Sequence, residues 1–353
     1  MAKINIIPIF VPHLGCPNDC VFCNQKRITG VSNFDINSVL KTIEDHLSYF
    51  SPLSPREIAF YGGSFTAIEE DLQKKLLSIV KSYKDRGLVD GIRLSTRPDC
   101  IDDHILTYLK AYGVDTIELG IQSTNEKVLN LSKRGHDRSS IFYASKLIKE
   151  AGFKLGLQQM LGLPGDSQEY SIETCKEIIG LKPDFVRIYP TLVIKNTELE
   201  HMYLNGTYKP LTLDQAVDLA SKLIMLYEYS NIEIIRVGLQ ATENLKFDKD
   251  VVAGPLHDAF RELCESKKLY MVLKAAKLDI RENENISLYS NARNNALLVG
   301  QRGSNKENLK KLFKADKIKF KVDNTLADQI KIIADKTYLV DIKENIKKIV
   351  KGW

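Results

Sequence analysis

Short apolar runs alternate with amphipathic stretches through the first two thirds of the chain. Ile4 to Val11 is almost wholly apolar and predicts a short buried strand. Asp35 to Phe50 has helical periodicity in Val39, Leu40, Ile43 and Leu47, with Asp35 or Asn33 as N-cap and Pro52 and Pro55 as the stop. The same alternation predicts strands at Glu57 to Tyr61, Gly91 to Ser95, Thr116 to Ile121, Phe153 to Met160 and Asp184 to Tyr189. Helices are predicted between them, near 67–85, 102–112, 125–131, 138–151 and 167–180. After a long irregular stretch to Pro210, a helix over 211–229 and a seventh strand at Ile232 to Val237 complete the pattern.

Strands and helices in strict alternation mean βαβ units and a parallel sheet. Seven strands are too many for a small flavodoxin-like domain and fit a barrel or an incomplete barrel. In such folds the loops at the carboxyl ends of the strands carry the chemistry. The conspicuous segments all fall there: a cysteine loop after the first strand, Gly62-Gly63, Arg97-Pro98-Asp99, Gln122-Ser123 and Leu163-Pro164-Gly165. The alternation breaks after Gln240, and Gly254-Pro255 opens a helix reaching about Ser266. The reading is a core over residues 1–245, a helical connector over 246–272 and a basic α+β domain over 273–353.

Composition is that of an ordinary globular protein, with 44% hydrophobic residues in 353. No window approaches the ~20 apolar residues of a membrane span, and Met1 to Asn5 lacks a signal-peptide pattern, so a cytoplasmic protein with no membrane partner is expected. The net charge of +5 is unevenly spread: Leu273 to Trp353 carries 18 Lys/Arg against 10 Asp/Glu, a balance of +8 that leaves −3 on the rest. A basic segment on a mildly acidic body points to a polyanion, or to a lysine-rich solvated surface.

Three of the six cysteines, Cys16, Cys20 and Cys23, are spaced C-x3-C-x2-C, while Cys100, Cys175 and Cys264 stand singly and read as core thiols. A structural zinc wants four ligands. A cubane iron–sulfur cluster on three thiolates leaves one iron open, for a fourth protein ligand such as His13 or for a chelating small molecule. This spacing, with Phe22 just before the last cysteine, resembles the radical S-adenosylmethionine (SAM) superfamily. That likeness implies a partial (β/α)6 TIM-type barrel, a [4Fe-4S] cluster on Cys16, Cys20 and Cys23, and SAM at the open iron. It also implies an electron donor such as a flavodoxin or ferredoxin.

The resemblance narrows further on. Gly62 to Thr66, Ser95 to Asp99, Glu118 to Ser123, Lys133 to His136, Leu163 to Gly165, Arg187 to Pro190 and Thr191 to Thr197 look like the radical-SAM domain of the Elongator catalytic-subunit family. The match runs over roughly Ile4 to Asn244. Two departures matter: the cysteine spacing is the compact superfamily one, and no acetyltransferase domain is expected. Ser64 also stands where the superfamily has an acidic residue. By this resemblance Gly62, Gly63 and Ser64 would meet the SAM amino group and Phe22 the adenine. Glu118 and Gln122 would reach the ribose, Arg134 the carboxylate, Gln158 the same rim, and Tyr189, at the end of the sixth strand, would lie near the adenine. For Glu118, Gln158 and Arg187 a buried hydrogen-bonded network is the competing role. Lys195, Tyr203 and Tyr208 are candidates for substrate contact.

Gly300-Gln301-Arg302-Gly303 lies between two helical runs and ahead of a strand, an arrangement resembling the KH RNA-binding module. Gly300, Gln301, Arg302, Gly303, Lys306 and Lys310 are the candidate RNA contacts. The expected activity is reductive cleavage of SAM to a 5′-deoxyadenosyl radical, used on a tRNA or rRNA and of transferase or oxidoreductase class. The alternatives are a small-molecule substrate, as in the coproporphyrinogen-oxidase-like branch, and a non-catalytic RNA-binding protein that carries the cluster.

Overall fold

The computed structural model describes residues 4–11, 20–24, 35–239, 245–247, 249–282 and 284–353. Cys16 and His13 lie outside these residues. Contacts divide the chain into two compact units, 1–211 with 239–256, and 212–238 with 257–353. The division is not a single cut near residue 270: helix Leu213–Tyr229 and the strand after it belong with the C-terminal part.

The first unit holds six parallel strands in chain order: β1 (Asn5–Val11), β2 (Arg56–Gly62), β3 (Gly91–Thr96), β4 (Thr116–Gln122), β5 (Lys154–Leu161) and β6 (Phe185–Pro190). With their helices they form a partial (β/α)6 barrel of the TIM type. One face of every strand is apolar and buried: Ile58 and Phe60, Ile92 and Leu94, Ile117 and Leu119, Leu155 and Leu157, Val186 and Ile188. The intervening helices lay their apolar stripes on that face, such as Leu76, Leu77 and Val80 of helix Glu70–Asp85 and Ile141, Ala144 and Ile148 of helix Arg138–Glu150. Starts are set by side-chain caps: Asp35 accepts from Asn37 N, Asp102 from Ile105 N, Asp137 from Ser140 N and Ser167 from Tyr170 N.

Three aspartates fix the lower edge of the sheet. Asp90, just before β3, accepts from Arg56 N at 2.8 Å; Asp115, before β4, from Ile92 N at 2.8 Å; Asp184, before β6, from Leu155 N at 2.8 Å. Each carboxylate satisfies a neighbouring strand's backbone donor and so pins the register between adjacent strands.

Beyond β6 come β7 (Val193–Ile194), β8 (Glu233–Val237) and β9 (Val251–Ala253), of which β7 and β9 pair antiparallel. The expected irregular stretch before Pro210 contains helix Glu198–Leu204, capped by Thr197. The second unit carries helix Leu213–Tyr229, helix Phe260–Ala275 and a four-stranded sheet: β10 (Asn285–Ser290), β11 (Lys317–Val322), β12 (Gln329–Ile333) and β13 (Thr337–Asp341), in spatial order β11-β10-β12-β13. β10 and β11 are parallel, joined by helices Ala292–Val299 and Ser304–Leu312, and helix Ile342–Val350 follows β13.

Gly156 is a tightly packed point of the barrel. A Cβ there would stand 2.4 Å from Phe185 Cε2 and 3.0 Å from Glu118 Cγ. Gly156→Ala is therefore expected to lower the unfolding free energy by about 1–3 kcal/mol, read from the urea midpoint. An unchanged midpoint would show that β6 yields freely to the added methyl.

Candidate active site

Register places Arg93, Ser95, Glu118, Gln158 and Arg187 on the face opposite the helices, because Ser95 lies beside Glu118, Glu118 beside Gly156 and Gln158 beside Arg187. Glu118 is the centre of this face and is wholly buried. Its Oε2 accepts from Arg187 Nε at 2.6 Å and Gln158 Nε2 at 3.3 Å; its Oε1 accepts from Arg187 Nη2 at 3.1 Å and Arg93 Nη1 at 3.3 Å. Arg93 turns its Nε to Glu57 at 2.6 Å. Arg187 Nη2 also donates to Tyr61 Oη at 2.9 Å, and Nη1 lies 3.5 Å from Tyr189 Oη. Two carboxylates and two guanidinia thus alternate across β2, β3, β4 and β6 and close a neutral floor.

The protonation states follow. Burial works against the Arg187 charge, but Glu118, with Tyr189 and Tyr61, holds it above the usual arginine range. Burial, and then the Glu118 charge, pushes the Tyr61 hydroxyl up to about 12, so it remains a neutral donor at physiological pH. Glu118, expected to reach a ribose, instead has both oxygens occupied by the protein, and Gln158 is tied to it. The buried-network role holds for these two and for Arg187.

The second cluster lies at the strand ends. Cys20 and Cys23 form a turn, with Cys23 N donating to Cys20 O at 2.9 Å. Val21 anchors it: its N–H bonds Ser132 O, its carbonyl accepts from Leu199 N, and its side chain packs with Val193, Leu199 and Tyr208. Arg134 Nη1 lies 3.1 Å from Cys20 Sγ, and Arg97 Nη1 lies 4.0 Å from it. Both arginines are buried and locked. Arg134 Nη2 donates to Gly120 O, while Arg97 grips Asp99 through Nε at 2.9 Å and Nη2 at 2.8 Å and donates to Arg134 O. Arg134, expected at a SAM carboxylate, is here directed at the cysteine sulfur, and its guanidinium carbon stands 6.0 Å from the Phe22 ring centroid. His136 sits beside them with Nδ1 3.8 Å from Asp99. Burial and the neighbouring Arg134 charge depress its pKa to about 3.

Other expected residues divide. Gly62 ends β2 with φ +104°, a conformation that side chains resist, and Ser64 is buried at the start of the turn Phe65–Ala67. Gln122 has φ +68°, and its Oε1 is buried without a hydrogen-bond partner among the described residues, as is Ser95 Oγ. Tyr208 is not a surface contact: its ring is buried and its hydroxyl donates to Gly162 O at 2.6 Å, which fixes the Leu163-Pro164-Gly165 loop. Lys195 and Tyr203 are exposed. In the second unit, Gln301 and Arg302 are exposed in the turn between the two helices, with Gly300, Arg302 and Gly303 all at positive φ. Lys306 is exposed and Lys310 half-buried on the following helix. Arg97, Asp99, Tyr61 and Arg93 received no individual role from sequence. The Arg-Pro-Asp triplet at the end of β3 was the one visible signal.

The Radical SAM superfamily profile matches residues 10–178, and the Radical SAM C-terminal domain matches residues 183–269. An uncharacterised Methanocaldococcus jannaschii protein is 35% identical over 229 residues, covering 62% of this chain and 70% of that one. A tRNA uridine(34) acetyltransferase of Methanocaldococcus infernus is 31% identical over 262 residues, covering 63% of this chain and 49% of its own length, so the chain spans about half of that relative. The solved Methanocaldococcus infernus Elp3, lacking residues 1–46, superposes with a TM-score of 0.60 at 24% identity, over 76% of this chain and 63% of that one. The chain belongs to the radical SAM superfamily. Within it, this is an Elongator-like member, and its cofactors are a [4Fe-4S] cluster and SAM.

The described residues fit those groups. The Cys20 sulfur lies beside two buried guanidinia that can offset the negative charge of a cluster, and the unpartnered Ser95 Oγ and Gln122 Oε1 are buried polar atoms available to a ligand.

Glu118→Gln leaves Arg187 and Arg93 short of a counter-charge in a buried site. A loss of about 3–5 kcal/mol is expected in urea unfolding, and a loss under 1 kcal/mol would mean that water reaches the floor. His136 is neutral when folded and titrates near 6.5 when unfolded, so the unfolded chain binds more protons between about pH 6.5 and 3. Stability should therefore fall as pH drops, by about 2 kcal/mol from pH 7 to pH 5. His136→Asn should remove that share of the slope.

Proposed function

We propose that the chain cleaves SAM reductively and uses the resulting radical on an RNA. The observation that carries the first half is the Cys20 turn, held by two locked arginines above a closed, neutral, polar floor. When bound, the cluster and SAM supply a one-electron reductive cleavage that yields methionine and a 5′-deoxyadenosyl radical. Cys16, Cys20 and Cys23 would hold the cluster. Arg134 and Arg97 orient Cys20 and offset the negative charge of the thiolates. Gly62, Gly63 and Ser64 offer backbone groups and a hydroxyl to the SAM amino group, and Gln122 offers its free amide oxygen to the ribose. The floor keeps Tyr61 neutral and fixed by Arg187, with Tyr189 Oη beside the same guanidinium. Lys195 and Tyr203 are the substrate-facing candidates, and a flavodoxin or ferredoxin is the expected donor.

An RNA substrate is supported by the relative named as a tRNA uridine(34) acetyltransferase and by the +8 balance of residues 273–353. The KH-like turn Gly300-Gln301-Arg302-Gly303 adds to it. Gly300 is needed there because a Cβ would stand 2.7 Å from Asn305 N. Acetyl transfer is not carried over, since the chain spans only about half of that relative.

Anaerobic reconstitution should give about four irons per chain and 5′-deoxyadenosine from SAM with dithionite. Cys20→Ala or Cys23→Ala should abolish both. Iron uptake without any deoxyadenosine would sink the catalytic reading. Mass spectrometry of total-RNA nucleosides with and without the gene should reveal a missing modification, and identical profiles would move the substrate to a small molecule.

A further inference from the structure

The outer face of the C-terminal sheet carries a pattern that neither the cluster nor the Gly300–Gly303 turn uses. The inner face is apolar and buried, with Ile286, Leu288, Ile318, Ile330, Ile332 and Val340. The outer face is ordered by strand pairing. Tyr289 on β10 lies beside Lys321 on β11 and Lys331 on β12, and Lys331 lies beside Leu339 on β13. The next row holds Lys319, Ser287, Ile333 and Thr337. Lys317 continues the lysine series on β11.

The charges on this face are poorly compensated. Lys317, Lys319 and Lys321 are exposed and make no ion pair with a described residue. Lys321 Nζ donates to Tyr289 Oη at 3.0 Å and stands 5.1 Å from its ring centroid, and Lys331 Nζ stands 4.8 Å from the same centroid. The nearby carboxylates lie at strand ends and are occupied there. Asp323 holds Thr325 and, at 3.2 Å, Lys331; Asp341 caps helix Ile342–Val350. Lysines on an edge strand guard against strand addition. That accounts for β11 but not for an aromatic at the centre of the face, or for a lysine on the interior strand β12.

We infer that this face binds a single-stranded RNA segment, with a base stacked on Tyr289 and the backbone along the lysines of β11. The inference rests on the RNA reading above. Alternate residues on β11 repeat at about 6.7 Å, so the three ammonium groups line up beside an extended strand and can meet successive phosphates. Tyr289 supplies a π-face that any base can use. Ile333 and Leu339, both exposed, extend the apolar ground beside it. A duplex hides its base faces, so a flat aromatic platform selects the single strand.

The test uses the full chain and a short fluorescein-labelled RNA, free or annealed to its complement, in anisotropy titrations over a salt series. The single strand should bind more tightly than the duplex. Tyr289→Ala should weaken it about tenfold, with Tyr289→Phe close to wild type. Lys317→Gln and Lys319→Gln should each reduce the slope of log K against log salt by about 0.7. Because all these side chains point to solvent or lie on the outer face, matched thermal unfolding and iron content can verify each variant's fold. Wild-type affinity in Tyr289→Ala and the lysine variants, with binding lost in Gly303→Asp, overturns the sheet face and leaves the RNA reading intact. No affinity of the wild type for either RNA also overturns it, and the RNA reading then depends on the nucleoside profile alone.

Discussion

A carboxylate buried to zero exposure must find partners for every lone pair it carries, and Glu118 finds them on both sides of its strand. Arg93 comes from β3, Arg187 from β6 and Gln158 from β5. The distance to β6 is bridged because β5 contributes Gly156 at the crossing, where any side chain would strike Phe185. A one-residue slip of β4 would turn Glu118 into the apolar layer beneath the helices and strand its charge there. The same interaction therefore fixes strand register, closes the barrel floor and leaves the upper part of the face for ligands.

The rim repeats this logic with different groups. A guanidinium can hold a sulfur in place only if its own position is held, and both arginines near Cys20 are held by the backbone of the neighbouring element. Arg134 bonds Gly120 O on β4, and Arg97 bonds Arg134 O while Asp99 grips its fork. Three separated segments, the end of β3, the end of β4 and the turn after helix Glu126–Leu131, thereby converge on one sulfur. Val21 ties the cysteine turn to the opposite side, through Ser132 and Leu199.

The second unit divides its two sheet faces by chemistry. The apolar face anchors the helices on either side of the Gly300–Gly303 turn, and Asn305 locks that turn through Ser266 O at 3.2 Å. The polar face has no such internal duty. Its lysines pair with an aromatic ring more than with acids, which marks a surface shaped for a partner that supplies negative charge.

The sequence by itself determined the strand and helix alternation closely. Predicted strands such as Thr116 to Ile121 and Glu57 to Tyr61 lie within a residue of the observed ones, because period-two and period-3.6 patterns are local properties of the chain. The cysteine spacing and the glycine-bearing strand ends were legible for the same reason. Tertiary structure decided what each polar side chain is for. Glu118 and Tyr208 look alike in sequence to ligand-binding residues, yet one is consumed by two arginines and the other by a loop carbonyl. The strands β12 and β13 are not evident from the chain alone although Ile330, Ile332 and Val340 alternate there, since short alternating stretches gain meaning only when a sheet exists to receive them. Arg97 and Arg134 are 37 positions apart and meet at Cys20. Hydrogen-bond partnership across such distances depends on strand order and register, and no local pattern in the chain encodes it.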